Sequence, residues 1–209
     1  MSQSKAPQWL EWAREIQALS QIGLYFSQNE HETANYRRLR EIAAEMIASR
    51  TELSRAGLER IFSAQPGYAT AKIDVRGAVL REESILLVKE KIDGLWCMPG
   101  GWADVGETPS AMVQREVREE SGMVVQPFKI VGVFDANREG GRLELFHAYK
   151  IVFLCEILSG EPAPGTETLE AAFHSLEDPP PLSPNRTNTR HLKEVLAHMR
   201  DPGRAAWFD

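Results

Sequence analysis

The chain has 209 residues, of which 43% are hydrophobic and 26% charged, and its formal net charge at pH 7 is -6. These proportions are typical of a folded globular protein and exclude a disordered or fibrous chain. The acidic balance argues against a broad nucleic-acid surface, because such surfaces neutralise phosphates with Lys and Arg.

The first third of the chain predicts a small helical domain over residues 1–66. Apolar residues recur at three- and four-residue steps over 8–26 and 30–49, which indicates two amphipathic helices. A shorter helix is predicted over 54–64, with Ser54 as its N-cap. Such helices bury only part of their apolar surface, so the remaining face needs the rest of the chain or a second copy. We favour the second copy and expect a homodimer.

From Ala69 onward the hydrophobic period is that of β-strands. Strands are predicted over 72–80, 84–90, 128–134 and 143–158, with a flexible hairpin loop over 137–141. A proline-rich crossing leads to a last helix over 190–200. This order indicates an α/β fold, in which residues 67–209 form one layered domain.

Neither a membrane segment nor a cysteine-based site is predicted. The start MSQSKAPQWL lacks the apolar core of a signal peptide, and the most apolar later stretch, 149–158, is interrupted by Glu156. We therefore expect a cytoplasmic protein with no membrane partner. Cys97 and Cys155 are far apart and outside any zinc-type spacing, so two buried free thiols are expected.

The most informative segment is 101–123, GWADVGETPSAMVQREVREESGM. Thr108 suits an N-cap, Pro109 the first helical position, and Gly122 the left-handed residue after a helix end. A helix is therefore predicted over 109–121. At 100° per residue, three glutamates share one arc of its surface: Glu116, Glu119 and Glu120.

Three neighbouring carboxylates predict a metal site. They repel one another and raise each other's pKa, a cost that a bound divalent cation removes. Carboxylate oxygens without His or Cys favour Mg²⁺ or Mn²⁺ over zinc, so Glu116, Glu119 and Glu120 are the predicted ligands, with substrate phosphates sharing the metal. Arg115 precedes Glu119 by one turn and is expected to bind Glu107, which would lock the preceding loop to the helix.

The spacing G-x5-E-x7-R-E-U-x-E-E-x-G-U, with U an apolar residue, resembles the Nudix box of hydrolases that split nucleoside diphosphates linked to a group X. Every fixed position is filled. The resemblance implies the Nudix α/β/α sandwich with a mixed sheet, and attack of a metal-activated water on one phosphorus of a diphosphate. It also implies that the Gly101 carbonyl binds metal. In this family the general base is a box glutamate or a carboxylate in a later loop, where Glu167 and Glu170 are the candidates.

The segment GLWCMPGGWADVG at 94–106, the opening Asp74-Val75-Arg76 of the first strand and the helical extension narrow the resemblance. They resemble bacterial enzymes typified by CDP-choline pyrophosphatase, with ADP-ribose hydrolysis among relatives. In that subgroup the extension helps to build a homodimer and shapes the substrate pocket. Arg76 and Trp102 are the predicted substrate contacts.

Two alternatives remain open. A ligand sensor with a catalytically silent Nudix fold would share the sheet and the helix, although such proteins often lack box carboxylates. An RNA-processing Nudix enzyme would need a basic groove with stacking aromatic residues. Six basic residues could form that groove if the fold brings them together: Lys72, Arg76, Arg138, Arg142, Arg186 and Arg190.

Overall fold

The chain divides into two compact units in a computed structural model that describes residues 7–137 and 145–209. The first unit comprises Met1–Ala71 with Asn137–His147, and the second comprises Lys72–Ala136 with Ala148–Asp209. The first unit is therefore discontinuous in sequence. Most of the predicted loop over 137–141 and residues 143–144 of the strand predicted over 143–158 lie outside the described residues, as do Arg138 and Arg142. Residues 145–147 are described and are not part of a strand, so the strand begins at Ala148 and its predicted start was wrong.

The first unit is built on three helices: α1 (Gln8–Phe26), α2 (Glu30–Ala48) and α3 (Arg55–Ser63). Their bounds agree with the predicted ones to within a residue or two. The side chain of Ser54 accepts a hydrogen bond from the N–H of Gly57 and caps α3 as predicted. A Cβ added at Gly23 would lie 2.2 Å from the Tyr36 ring, so this glycine allows α1 and α2 to pack closely.

The core of the first unit combines all three helices with the second segment of the unit. The buried apolar residues are Leu10, Ala13, Ala44, Ile47, Leu58 and Phe62. Leu145 and Phe146 pack against this cluster, and the Phe146 ring lies edge-on to the Phe62 ring at 6.4 Å. The Nδ2 of Asn137 donates to the Phe146 carbonyl at 3.0 Å. Residues far along the chain thus complete the N-terminal core.

The second unit contains a mixed sheet of seven strands within its described residues. The elements are β1 (Lys72–Arg81), β2 (Ser84–Glu90), β3 (Trp96–Cys97), α4 (Pro109–Ser121), β4 (Val124–Asp135), β5 (Ala148–Ser159), β6 (Thr168–Ser175), α5 (Thr189–Arg200) and β7 (Trp207–Phe208). The strand order is β3-β2-β1-β5-β4-β7, and β6 also pairs with β2. Strand β1 runs parallel to β5 and β7 parallel to β4, whereas the other pairs are antiparallel.

Helices α4 and α5 cover opposite faces of this sheet because side chains of a strand alternate between its faces. Val75 and Val79 of β1 pack with Val113 and Val117 of α4. On the other face, Ala78 shares a core with residues of α5, including Leu192 and Val195. The α/β/α sandwich implied by the resemblance is confirmed.

Three strands were not predicted, and each has a physical reason. Strands β3 and β7 have only two residues each, too few to display a period. Strand β6 has no clean alternation of buried and exposed positions, so the prediction that Glu170 lies in a loop was wrong. Strand β4 begins at Val124 rather than at 128 because the sheet continues through Pro127, where the register shifts.

Two further properties of the described residues concern the length and apolarity of the helices and the state of the cysteines. Within residues 7–137 and 145–209, none of the helices combines the length and the apolarity needed to cross a bilayer. Cys97 and Cys155 are both free and buried, as predicted. Burial raises the pKa of the Cys155 thiol to about 12, which keeps it protonated at neutral pH.

Candidate active site

The segment between β3 and α4 lies directly against β1 and sets the position of one box glutamate. The N–H of Val75 donates to the Gly101 carbonyl at 2.9 Å. At Gly100 the φ angle is +141°, and an added Cβ would lie 2.0 Å from the Val75 carbonyl oxygen, so only glycine fits. In this conformation the Gly100 N–H donates to Oε2 of Glu120 at 2.8 Å.

Helix α4 begins and ends at the predicted residues. The Thr108 side chain accepts from the N–H of Ala111, and Pro109 occupies the first turn. Gly122 adopts the left-handed conformation with φ +71° and closes the helix through its N–H to the Arg118 carbonyl. The helix that carries the glutamates is therefore fixed at both ends.

The three box glutamates lie in different environments. Glu120 is 8% exposed, whereas the side chains of Glu116 and Glu119 are 15% and 59% exposed. Burial raises the pKa of Glu116, and it raises the pKa of Glu120 to about 7 even though Arg76 acts in the opposite direction. Two of the three carboxylates thus carry a desolvation cost that a nearby cation would relieve.

Arg115 binds several carboxylates at once. Its Nε and Nη2 donate to Glu107 at 3.1 and 2.9 Å, and the predicted contact between loop and helix is confirmed. Its Nη1 donates to Glu116 at 2.9 Å and to Glu119 at 3.0 Å. Hydrogen bonds from Arg115 hold the pKa of Glu107 below its usual range. Nη2 also contacts Asp104 at 3.0 Å, a carboxylate that no sequence signal marked because it lies outside the fixed spacing.

The structure places the three glutamates on one side of α4 but does not bring them to a single point. Glu120 is bonded to Gly100, while Glu116 and Glu119 share one nitrogen of Arg115. In the described part of the chain no three His, Cys, Asp or Glu side chains are arranged to hold a metal ion.

The donor set nevertheless fits Mg²⁺ or Mn²⁺. Every candidate ligand is a hard oxygen, which these ions prefer. A Cβ added at Gly101 would lie 3.2 Å from Oε2 of Glu116, so the glycine backbone closely approaches that carboxylate. The Gly101 carbonyl accepts the Val75 N–H and has a second lone pair. The metal-binding roles of Gly101 and of Glu116, Glu119 and Glu120 stay predictions.

Arg76 lies inside the second unit with only 4% exposure. Its Nε and Nη2 donate to the two oxygens of Asp74 at 2.9 and 2.8 Å, and its Nη1 donates to the Met98 carbonyl at 3.1 Å. Burial pushes the pKa of Asp74 upward, but Arg76 and the buried Lys150 outweigh it and hold the pKa below its usual value. Arg76 thus holds the backbone of the segment between β3 and α4 at Met98. Its predicted contact with substrate stays a prediction.

A second buried acid lies beside this pair and was not singled out from the sequence. Oε1 of Glu90 accepts from Sγ of Cys97 at 3.2 Å and lies 3.0 Å from Nε of Arg186. Burial, reinforced by Glu90, raises the pKa of Cys97 and keeps it a neutral thiol. Glu90 ends an apolar strand, and a charged residue there predicts a surface position unless its distant partner Arg186 is known.

The remaining predicted residues lie at the surface. Trp102 is 54% exposed, and its backbone forms an isolated bridge with Asp74. Glu167 is exposed and directly precedes β6. Glu170 lies within β6, where its carboxylate contacts Nζ of Lys89 at 2.7 Å. The roles of Trp102 and Glu167 stay predictions.

Comparison with known proteins assigns both parts of the chain. A family described as a UDP-X-like, N-terminal oligomerisation domain matches residues 7–62, and the NUDIX domain family matches residues 71–197. The putative ADP-ribose pyrophosphatase YjhB of Bacillus subtilis is 38% identical over 201 residues, which cover 96% of this chain and 97% of that protein.

Two solved structures extend this comparison. A UDP-X diphosphatase is 26% identical with a TM-score of 0.62, covering 99% of this chain and 100% of that one. An ADP-ribose pyrophosphatase from Streptococcus suis is 34% identical with a TM-score of 0.59, covering 67% of this chain and 100% of that one. The complete box around Arg115, the sandwich fold and these matches together confirm the resemblance read from the sequence: the chain belongs to the Nudix hydrolase family.

Proposed function

We propose that this Nudix pyrophosphatase hydrolyses, with Mg²⁺ or Mn²⁺, the diphosphate bond of a nucleoside diphosphate linked to X. The products would be a nucleoside monophosphate and phosphorylated X. The observation that carries the proposal is the intact acidic set around Arg115, which contacts Glu107, Glu116 and Glu119 while Glu120 is buried beside them. A ligand sensor would have no need to retain every member of this set.

Each residue of the set has a distinct task in the proposed reaction. Glu116, Glu119, Glu120 and the Gly101 carbonyl would hold the ion, which when bound supplies an activated water and neutralises charge on the phosphoryl oxygens. Arg115 orients two of these carboxylates, and the bidentate contact with Glu107 holds Arg115 in turn.

A general base must also accept a proton from the attacking water. Glu167 and Glu170 are the two candidates outside the box. The carboxylate of Glu170 is engaged by Nζ of Lys89, its cross-strand partner on β2, at 2.7 Å. The side chain of Glu167 is exposed, and no hydrogen bond or ion pair within the described residues engages its carboxylate, so we favour Glu167 as the base.

For the substrate we propose the ADP-ribose type first and the CDP-choline type second. The B. subtilis relative is named a putative ADP-ribose pyrophosphatase and the S. suis structure an ADP-ribose pyrophosphatase; both are above 30% identity and support this order. The half-exposed ring of Trp102 follows Gly101, a proposed metal ligand, by one residue and offers a flat apolar face for a nucleobase. The identity of X depends on the shape of the substrate pocket, which the fold alone does not specify.

We further propose that the first unit forms a homodimer and shapes the substrate pocket. Large apolar side chains of α1 are exposed, with Trp12, Leu19 and Phe26 each more than half accessible. A patch of this kind is typical of a surface that is buried on association. The description of the matching family as an oligomerisation domain supports this role.

RNA processing is less well supported. Of the six basic residues that could have formed a groove, Arg76 contacts Asp74, Arg186 contacts Glu90, and Arg190 contacts Asp209. Three positive charges are therefore balanced locally by carboxylates, which weakens attraction for a phosphate backbone.

The test is a panel of ADP-ribose, CDP-choline, UDP-sugars and capped RNA, each incubated with Mg²⁺, Mn²⁺ or a chelator. We expect metal-dependent release of a nucleoside monophosphate, detected by ³¹P NMR, with ADP-ribose turned over fastest. Turnover of capped RNA alone would instead support the RNA enzyme. Inertness toward every compound, combined with tight nucleotide binding, would contradict the proposal and favour a sensor.

A further inference from the structure

The last turn of α4 ends in carbonyl groups that have no partner inside the helix. The loop over 160–167, between β5 and β6, supplies those partners. The N–H of Ala163 donates to the Ser121 carbonyl at 2.9 Å, and the N–H of Gly165 donates to the Glu120 carbonyl at 3.3 Å. Oγ1 of Thr168 donates to the same Glu120 carbonyl at 2.8 Å. The loop is thus bonded to the backbone of the turn that carries Glu120.

The Thr168 hydroxyl is the centre of this arrangement. The residue is 3% exposed, and its Oγ1 accepts the Gly165 N–H at 2.7 Å while it donates to Glu120. A hydroxyl can do both because it carries one donor and two acceptor lone pairs. One side chain therefore closes the loop on itself and fixes it to the helix.

Gly165 also keeps the loop close to α4, because it has no side chain where the two backbones meet. A Cβ added there would lie 1.8 Å from the Glu119 carbonyl oxygen and 3.1 Å from Cα of Glu120. No side chain fits at such distances without displacement of the loop. The hydroxyl of Thr168 and the missing side chain of Gly165 are thus independent features that hold the loop against α4.

Glu167 lies between these two anchors and adjoins Thr168. Successive Cα atoms are about 3.8 Å apart, so anchors on both sides confine the backbone of Glu167 to a small region. Glu120 is fixed at both ends, because its carbonyl binds the loop while its carboxylate accepts the Gly100 N–H.

We propose that Thr168, with Gly165, is a positioning residue that fixes the carboxylate of Glu167 relative to the carboxylate of Glu120. The inference rests on the proposed function, in which Glu120 holds the ion and Glu167 accepts the proton. Thr168 is buried, and its hydroxyl bonds only to backbone atoms of Gly165 and Glu120 among the described residues. It acts through the geometry of the two acids, to which proton transfer is sensitive.

The first test compares Thr168→Val with Thr168→Ser, using the full chain at saturating substrate and Mg²⁺. Valine keeps the shape but removes the hydroxyl, and we expect kcat to fall about tenfold or more while KM changes less than about threefold. Serine keeps the hydroxyl and is expected to retain most of the wild-type kcat. An unchanged kcat for the valine variant, or a serine variant as slow as valine, would overturn the proposal.

A double variant tests whether the effect passes through Glu167. If Thr168 acts by placing that carboxylate, then Thr168→Val should lower kcat of Glu167→Gln by less than about twofold, because the positioned group is already inactive. Independent, multiplying losses in the double variant would show that the hydroxyl acts elsewhere, and the proposal would then be wrong.

Two measurements cover a valine variant that fails to fold or a wild type that is inactive. Gly165→Ala must displace the loop from Glu119, so a wild-type kcat in that variant would overturn the proposed positioning by Thr168 and Gly165. Hydrogen exchange of the Ala163 and Gly165 amides needs no turnover and is expected to accelerate in Gly165→Ala and Thr168→Val but not in Thr168→Ser. Unchanged exchange of these amides in Gly165→Ala and Thr168→Val would show that the two residues do not hold the loop against α4. An inactive wild type with the expected exchange pattern would reject only the proposed function.

Discussion

Oε2 of Glu120 accepts a hydrogen bond of 2.8 Å from the backbone N–H of Gly100. Gly100 can donate in this direction only because it adopts a φ of +141° against the Val75 carbonyl, where no Cβ fits. A carboxylate on α4 is therefore positioned by backbone that packs on β1. The link makes the place of one acid depend on a conformation that only glycine adopts readily.

Glu120→Gln is expected to lower Mg²⁺-dependent kcat/KM by at least about 100-fold, because the amide keeps the size but removes the charge that would bind metal. Burial disfavours the charged form of Glu120, so the free energy of unfolding at pH 8 should be unchanged or higher. Steady-state kinetics and urea unfolding check both statements. The matched control is Glu177→Gln, an exposed partner of Arg200. Turnover retained by the Glu120 variant would sink its metal-binding role.

Arg115→Lys keeps a positive charge but replaces a planar fork of five donors with a single ammonium group. Lysine cannot hold Asp104, Glu107, Glu116 and Glu119 together, so we expect kcat to fall about tenfold. The control is Arg38→Lys, which replaces an arginine that contacts two glutamates on the surface of α2. If both variants are equally active, Arg115 does not orient the catalytic carboxylates.

Asp74→Ala removes the carboxylate between two buried cations. Arg76 and Lys150 would then lack their counter-ion, and breaking a buried pair in this way costs about 3–5 kcal/mol of stability. The free energy of unfolding in urea at pH 7 measures the loss. Glu161→Ala breaks the exposed pair with Arg81 and should cost less than about 1 kcal/mol. Equal losses in the two variants would contradict the role given to the buried pair.

His191 predicts a loss of stability in acid. Burial lowers its pKa to about 3 from a usual value near 6.5, and its Nδ1 accepts the Asn188 N–H as part of the N-cap of α5. The unfolded chain binds a proton below about pH 6.5 that the folded chain refuses until about pH 3, so stability falls as pH drops through this window.

At pH 4 the linkage amounts to about 3 kcal/mol relative to pH 7, from about 1.4 kcal/mol for each pH unit below 6.5. Urea unfolding at the two pH values measures it, and His191→Gln should reduce the difference. The exposed His31 on α2 provides the control substitution, His31→Gln, which should leave the difference unchanged. A His191 variant as acid-sensitive as wild type would show that other groups control this window.

Leu19→Arg tests the proposed dimer. Leu19 is 56% exposed in the middle of α1, where a charge would oppose burial against a second copy without disturbing the core of its own unit. Sedimentation should detect a dimer for wild type and a monomer for the variant. Arg37→Glu changes an exposed polar position on α2 and should remain dimeric. A variant that still sediments as a dimer would exclude this face of α1.

Features that depend on neighbours along the chain could be predicted. The caps of α3 and α4 and the contact between Arg115 and Glu107 follow from spacing of a few residues, which helical geometry converts directly into distance. The final positions of the three glutamate carboxylates, which do not meet at a single point, could not be predicted in the same way. Helical periodicity gives the direction of each Cβ, but Arg115 and Gly100 decide where the carboxylates end.

Contacts between distant segments escaped prediction because no local pattern encodes them. Thr168 and Glu120 are 48 residues apart, and Lys150 reaches Asp74 only because β5 pairs with β1 in parallel. Neither a buried lysine nor a buried hydroxyl can be recognised from one sequence, since both residue types are common at surfaces. The fold has to be known before such partners can be identified.

The discontinuous first unit limits how this protein can be recombined. The N-terminal family match ends at residue 62, yet the segment Asn137–His147 belongs to the same compact unit, and Phe146 completes the core around Phe62. The chain crosses between the units after residues 71, 136 and 147. A hybrid that joins these helices to another Nudix domain would therefore inherit a mismatched β4–β5 connection unless that segment were transferred as well. The segment that the N-terminal family match covers is therefore shorter than the compact unit to which it belongs.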